Sequence, residues 1–313
     1  MTPAALVPGT SCLDWRRADA GDVVPLVRAE VRAWRETLSW DVAEAWSVVE
    51  PARLAGQLPG LVAYDDGRSV GWTAYLPHGG HLQVMALVAR DARAAAALLD
   101  GLLQSAEARA CDSTLFCVRD ATPGLARLLA ARGFSVDTYR YLMRDLAQAP
   151  SAGRTFEGWR AHDSAMAALC EAAYREAPGV RAFAPGGTSA EWRQYIATLV
   201  QGTACGWFLP ELSFVVPSGA PADGPVASPA AALDACLMLT DLGTGVAHIA
   251  QLAVDPAARG RGLARQLVEA TLTEAGRLYD HMSLLVSPAN VAAVRLYESL
   301  GFRDHASFIV ARS

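Results

Sequence analysis

Apolar and polar positions along this chain fall into two blocks with the same order of elements. In the first, "CLDWRRA" alternates like a strand, while "DVVPLVRAEVRAWRETL" and "DVAEAWSVVEPARLAGQ" carry their apolar residues at helical spacing. "LVAYDDGRSVGWTAYL" reads as a hairpin around Asp66-Gly67, a pair that accepts the positive φ angles of a two-residue turn. "GHLQVMALVA" is predicted as a buried strand. A helix from about Ala92 to Ala110, the strand "STLFCV", a helix near Pro123–Ala131 and a last strand through "YRYLMRDL" follow it.

The stretch "LAQAPSAGR", Leu146 to Arg154, is a linker by its Ala, Pro, Ser and Gly content. Beyond it the order recurs: strand "RTFEGWRA", helices "DSAMAALCEAAYREA" and "SAEWRQYIATLVQ", then strands "LSFVV", "LDACLMLTD" and "GVAHIAQLAV", the last two joined by a tight "LGTG" turn. The helix "ARQLVEATLTEAGRLY", the strand "MSLLVS", the helix "NVAAVRLYESL" and the strand "HASFIVA" complete it. Anchoring Gly133-Phe134 on Gly301-Phe302 sets Arg127 opposite Arg295, and one residue of slack sets Arg90 opposite Arg259. Two copies of one α/β unit are expected, over residues 1–148 and 154–313.

Composition narrows the function classes. At 313 residues and 52% hydrophobic the chain exceeds what one core usually holds, so each half has material for its own. A net charge of −5 and the lack of any basic run argue against nucleic acid. The chain has Arg but no Lys, which fits coding bias, and no function is attached to that preference. Six scattered cysteines show neither zinc spacing nor a disulfide framework; they read as buried thiols in a reducing cytoplasm. With no signal-like start and no apolar run of about 18–20 residues, a soluble cytoplasmic protein without membrane or metal is expected.

The chemistry concentrates in the second block. There "HIAQLAVDP" runs into "AARGRGLARQLVEA", a glycine loop opening a long helix, where free N–H groups and the helix dipole favour a phosphate. Asn290 and Tyr297 stand seven residues apart in "NVAAVRLYESLGF", two turns along one helix face. With these features, residues 246–302 resemble the acyl-CoA-binding core of the GCN5-related N-acetyltransferase (GNAT) family. Its Arg/Gln-x-x-Gly-x-Gly/Ala loop stands here as Arg259, Gly260, Arg261, Gly262, Leu263 and Ala264. The tandem arrangement is similar to that of mycothiol synthase-like acyltransferases.

The resemblance implies two α/β domains, each a mixed, mostly antiparallel sheet flanked by helices. It also implies acetyl-CoA or a short-chain relative as cosubstrate and direct transfer to a small-molecule amine. By the same resemblance, backbone at Leu252, Ala253 and Val254 pairs with pantetheine, N–H groups of Arg261 to Ala264 hold the pyrophosphate, and Asn290 bonds the pantetheine. Asn290 also suits a helix N-cap. Tyr297 becomes the acid that protonates the departing thiolate, a role a phenol near a developing sulfur anion can fill.

An alkyl ammonium must lose a proton before it attacks. The common base positions hold Ala250 and Gln251, neither of which can accept one, while His248 occupies the place of the catalytic glutamate in histone-type members. His248 is therefore the expected base, with a sheet-bonded imidazole as the alternative; Asp241 and His281 are weaker candidates.

Two irregular segments are candidates for acceptor specificity. "REAPGVRAFAPGGTSAEW" carries Arg175 and Arg181 and a Thr188-x-x-Glu191 capping box, and Pro217–Ala232 reads as a lid or a surface loop.

The first block fails the same tests. Asp91 is expected opposite Gly260, Arg93 opposite Gly262, Leu129 opposite Tyr297 and Thr122 near Asn290. This half is expected to keep the fold without productive CoA binding. Trp34, Trp40 and Trp46 are either core or an apolar wall. The expected protein is a monomer or homodimer with one active centre; a protein-lysine acetyltransferase and a non-catalytic CoA-binding protein are the alternatives.

Overall fold

A computed structural model describes residues 10–147, 156–202, 205–219 and 232–313, apart from Ala161, Pro178, Val180 and Ala182. The first half runs β1 (Ser11–Asp14), α1 (Ala20–Leu38), α2 (Ala43–Ser47), α3 (Val49–Leu54), β2 (Gly60–Asp65), β3 (Arg68–His78), β4 (His81–Ala89), α4 (Ala92–Leu103), α5 (Ala106–Arg109), β5 (Ser113–Arg119), α6 (Leu125–Ala131) and β6 (Ser135–Asp145). The second runs β7 (Glu157–Gly158), α7 (Asp163–Tyr174), α8 (Ser189–Val200), β8 (Trp207–Phe208), β9 (Phe214–Pro217), β10 (Leu233–Asp241), β11 (Val246–Val254), α9 (Leu263–Ala275), β12 (His281–Val286), α10 (Val291–Ser299) and β13 (Arg303–Arg312).

Local chemistry explains most of these bounds. Asp66 and Gly67 adopt φ of 48° and 74°, so the hairpin turns where the sequence places it. Thr188 and Glu191 form the capping box that starts α8. The segment expected as one helix from Asp41 instead forms α2 and α3. Pro51 has no N–H to offer the Ser47 carbonyl, so the helical ladder is interrupted there.

Two compact units emerge, and they do not follow the expected 1–148 and 154–313 division. One comprises residues 1–33, 43–138 and 307–313, the other 34–42 and 139–306. The reason lies in strand pairing: the end of β13 pairs antiparallel with β5, Phe308 opposite Arg119, while the end of β6 pairs antiparallel with β12, Leu142 opposite Leu284. The final strand of each half thus completes the sheet of the other half's unit. Most of the expected linker, and residues 220–231 of the expected lid, lie outside the described residues.

In the first unit the order is β1-β2-β3-β4-β5 and the end of β13, with β4 and β5 parallel and the other neighbours antiparallel. Helices α4 and α6 bury Leu98, Leu99, Leu125 and Leu129 on one face, and Val23 of α1 and Val49 of α3 join Trp15 and Trp72 on the other. Trp46 meets Trp72 edge to face at 5.5 Å, so it serves the core.

In the second unit the end of β6 is followed by β12, β11, β10, β9 and β7, with β11 and β12 parallel. Helices α9 and α10 cover one face and α7 and α8 the other. Among the described residues no helix is long and apolar enough to cross a membrane.

The repeat is sharper in the structure than in the sequence. β4 and β11 are each nine residues long, and each makes four parallel pairs before its partner leaves it. Each also carries one extra residue against its antiparallel neighbour, Met85 in β4 and Ala250 in β11, a bulge at the same place. This register sets Leu87 opposite Leu252 and Ala89 opposite Val254.

Candidate active site

Beyond the pair Ile249–Leu284, β11 and β12 diverge, and a cavity of about 660 Å³ opens along the strand from Ile249 to Val254. Asp255 N–H donates to the Asp234 carbonyl on the β10 side. Strand alternation therefore turns the backbone of Leu252 and Val254 toward the open edge. Tyr174, the last residue of α7, reaches this edge: its hydroxyl donates to the Leu252 carbonyl at 2.6 Å and accepts from Gln251 Nε2 at 2.6 Å.

The glycine loop meets the cavity at its rim. Gly260 and Gly262 adopt φ of 79° and 76°, conformations that side chains strain. Gly262 is the N-cap of α9 and supplies no side-chain cap, so the first-turn N–H groups keep their capacity for an external acceptor. Arg261 pairs with Asp234 at 2.6 Å, and Arg259 donates to the Ala173 carbonyl at 2.8 Å, tying the loop to the end of α7.

Of the expected site residues, Leu252, Ala253, Val254, Arg259, Ala264, Asn290 and Tyr297 line the cavity. Gly260, Arg261 and Gly262 form the exposed turn beside it, with Leu263 buried beneath. Asn290 accepts from the Ala293 N–H at 3.2 Å, so it caps α10 and borders the cavity at once. Tyr297 is 6% exposed and packs edge to face on Phe302 at 5.7 Å. Burial raises its phenol well above the ordinary range, which keeps it protonated.

His248 is placed differently from the expectation of a base facing the acceptor. It is 3% exposed, does not line the cavity, and shares Nδ1 with Ser283 Oγ at 2.9 Å. Trp40 and Tyr141 cover its ring at 5.5 and 6.1 Å. Burial lowers its pKa to about 3, so the folded ring is neutral, whereas the unfolded ring takes up a proton below about 6.5.

Stability from this group is complete above pH 6.5 and is lost toward pH 3, at about 1.4 kcal/mol per unit. His248→Gln should flatten that acid limb. Urea midpoints at pH 7 and pH 4.5 should lie closer together than in the native protein, and an unchanged gap would place the acid sensitivity elsewhere.

The first unit shows what closure of such a site looks like. Only Arg90 and Asp91 separate β4 from α4, against Asp255 to Gly262 between β11 and α9. Asp91 is therefore the N-cap, opposite Gly262, and the residue-by-residue match of Asp91 to Gly260 and Arg93 to Gly262 does not hold. The Asp91 carboxylate accepts the N–H groups of Arg93 and Ala94 at 3.1 and 3.0 Å, occupying the helix terminus with the chain's own anion. Thr122 Oγ1 donates to the Leu87 carbonyl at 2.9 Å and accepts from the Ala89 N–H at 3.2 Å, which closes the strand edge. Leu129, expected opposite Tyr297, is fully buried.

Two cavity residues escaped the sequence reading, Tyr139 and Tyr174, while Glu176 and Trp192 lie in the 175–192 segment expected to face the acceptor, Trp192 stacked on Tyr174 at 5.3 Å. Contacts across more than 70 positions leave no local signal, as between Tyr174 and Leu252. Arg175 and Arg181 also line the cavity. Cys170 and Cys236 are buried as expected of the thiols, whereas Cys12 is exposed.

The acetyltransferase (GNAT) family matches residues 194–302. Over 247 residues the chain is 31% identical to a mycothiol acetyltransferase of Tsukamurella paurometabola, covering 73% of this chain and 77% of that one. In fold it is similar to a GCN5-related N-acetyltransferase from Sphaerobacter thermophilus, with TM-score 0.59, 16% identity and 97% and 95% of the two chains covered. A tandem GNAT protein from the clavulanic acid biosynthesis pathway gives TM-score 0.52 at 15% identity over 97% and 98%. Likeness over nearly the whole length fits two GNAT domains.

Proposed function

The chain belongs to the GNAT acetyltransferase family, and on that premise we propose that its second half alone transfers an acetyl group from acetyl-CoA to a small-molecule amine. One observation carries this: in one chain, the same strand-and-helix frame stands open beside β11 and α9 and is closed by Asp91 and Thr122 beside β4 and α4. The open copy fits the cosubstrate. The uncapped N–H groups of Leu263 and Ala264 and the Arg261–Gly262 turn suit the diphosphate, and the edge at Leu252 and Val254, with Asn290, suits the pantetheine amides. Bound there, acetyl-CoA would supply an acyl carbon activated as a thioester.

The chain's own residues then divide the work. Tyr297 holds a proton for the departing sulfur. His248 receives no proton in this scheme, because its neutral ring is packed away from the cavity. Among the described residues lining the cavity, Glu176 is the carboxylate, and it can attract an incoming ammonium and take its proton. The mycothiol acetyltransferase relative supports a small-molecule acceptor.

Calorimetry of the full chain with CoA should show one site per chain. Two sites of equal affinity would overturn the closed first half, and no binding would overturn the assignment altogether.

A further inference from the structure

We propose that Tyr174 is a latch on the cosubstrate edge: its hydroxyl occupies the Leu252 carbonyl that a pantetheine amide would use, and so sets how tightly the cavity takes CoA. This inference rests on the acyl-CoA reading of the cavity given above. A ligand that pairs with β11 as a strand would must find its acceptor at the outward-facing carbonyls, and Leu252 is one of them. That carbonyl accepts the Tyr174 hydroxyl at 2.6 Å.

The first copy supplies an independent comparison. There the matching carbonyl, Leu87, and the matching N–H, Ala89, are both taken by Thr122, which is 2% exposed. That closure satisfies donor and acceptor together through a side chain buried beside the edge. In the second copy the carbonyl alone is held, by a phenol at the last position of α7.

The bond is arranged for exchange. Gln251 Nε2 donates to the same phenol oxygen at 2.6 Å, which polarises the hydroxyl and strengthens its hold on Leu252. When a ligand N–H takes over the carbonyl, the phenol oxygen keeps Gln251 as its partner, and the freed hydroxyl faces the cavity it lines. The phenol oxygen keeps a donor and the Leu252 carbonyl keeps one too, which lowers the cost of the exchange.

Calorimetry on the full-length protein tests this with two ligands, CoA and adenosine 3′,5′-bisphosphate, which lacks the pantetheine. Tyr174→Phe should bind CoA about fivefold more tightly, the weight of one competing neutral hydrogen bond, with unchanged affinity for the bisphosphate. Gln251→Leu should move CoA affinity the same way by about twofold, and it carries the test if Tyr174→Phe fails to fold. Equal or weaker CoA binding in the variants, or the same gain for both ligands, overturns the latch while leaving the cavity's assignment intact. Absence of CoA binding to the native protein defeats that assignment instead.

Discussion

Tyr297→Phe is expected to lower the rate of acetyl transfer by about a hundredfold or more and to leave CoA affinity unchanged. The ring is 6% exposed and seated against Phe302, so phenylalanine preserves the packing and removes the hydroxyl alone. Burial raises the phenol's pKa, so at every ordinary assay pH it is present as a donor. A donor of this kind contributes little to a neutral thioester and much to a sulfur acquiring negative charge, so its loss falls on kcat. Steady-state kinetics beside CoA titration separate the outcomes. A native rate in the variant removes Tyr297 from the chemistry, and a parallel loss of CoA affinity makes it a binding group.

That Asn290 and Tyr297 border one cavity was legible in the sequence, because they stand seven residues apart at the cap and in the body of one helix, where spacing fixes which face they share. The strands were legible for a similar reason: the short apolar runs of "LDACLMLTD" and "GVAHIAQLAV" survive as β10 and β11 with little displacement. What failed depended on contacts distant in the chain. The exchange of β6 and β13 between halves rests on pairs such as Phe308 with Arg119, which alternation cannot specify.

Matching Arg90 to Arg259 failed because it assumed loops of nearly equal length, whereas the strand bulges at Met85 and Ala250 supply the true register. The surroundings of His248 were hidden for a related reason. Its position along β11 was readable, but Ser283, Trp40 and Tyr141, which hold its ring neutral, come from three other segments. The tyrosine on the Leu252 carbonyl was invisible until α7 was placed beside β11.

The largest loss of CoA binding is expected from Gly262→Asp, which gives the open copy a carboxylate where the closed copy has Asp91. At φ of 76° an aspartate is strained by about 1–2 kcal/mol, a stability cost the fold should survive. Its effect on the ligand is larger. Each hydrogen bond from a helix terminus to a charged oxygen contributes about 1.5–3 kcal/mol, so forfeiting two of them weakens CoA by about a hundredfold or more.

Gly262→Ala separates charge from strain, since it brings the same backbone penalty without the carboxylate; a Cβ there comes within 3.4 Å of Gln266 Nε2 and of nothing closer. If the anion site is real, alanine retains most of the affinity and aspartate loses it, and the difference narrows as salt is raised. Equal losses in the two variants would mean that the turn's shape, and not its freedom from negative charge, is what the glycine protects.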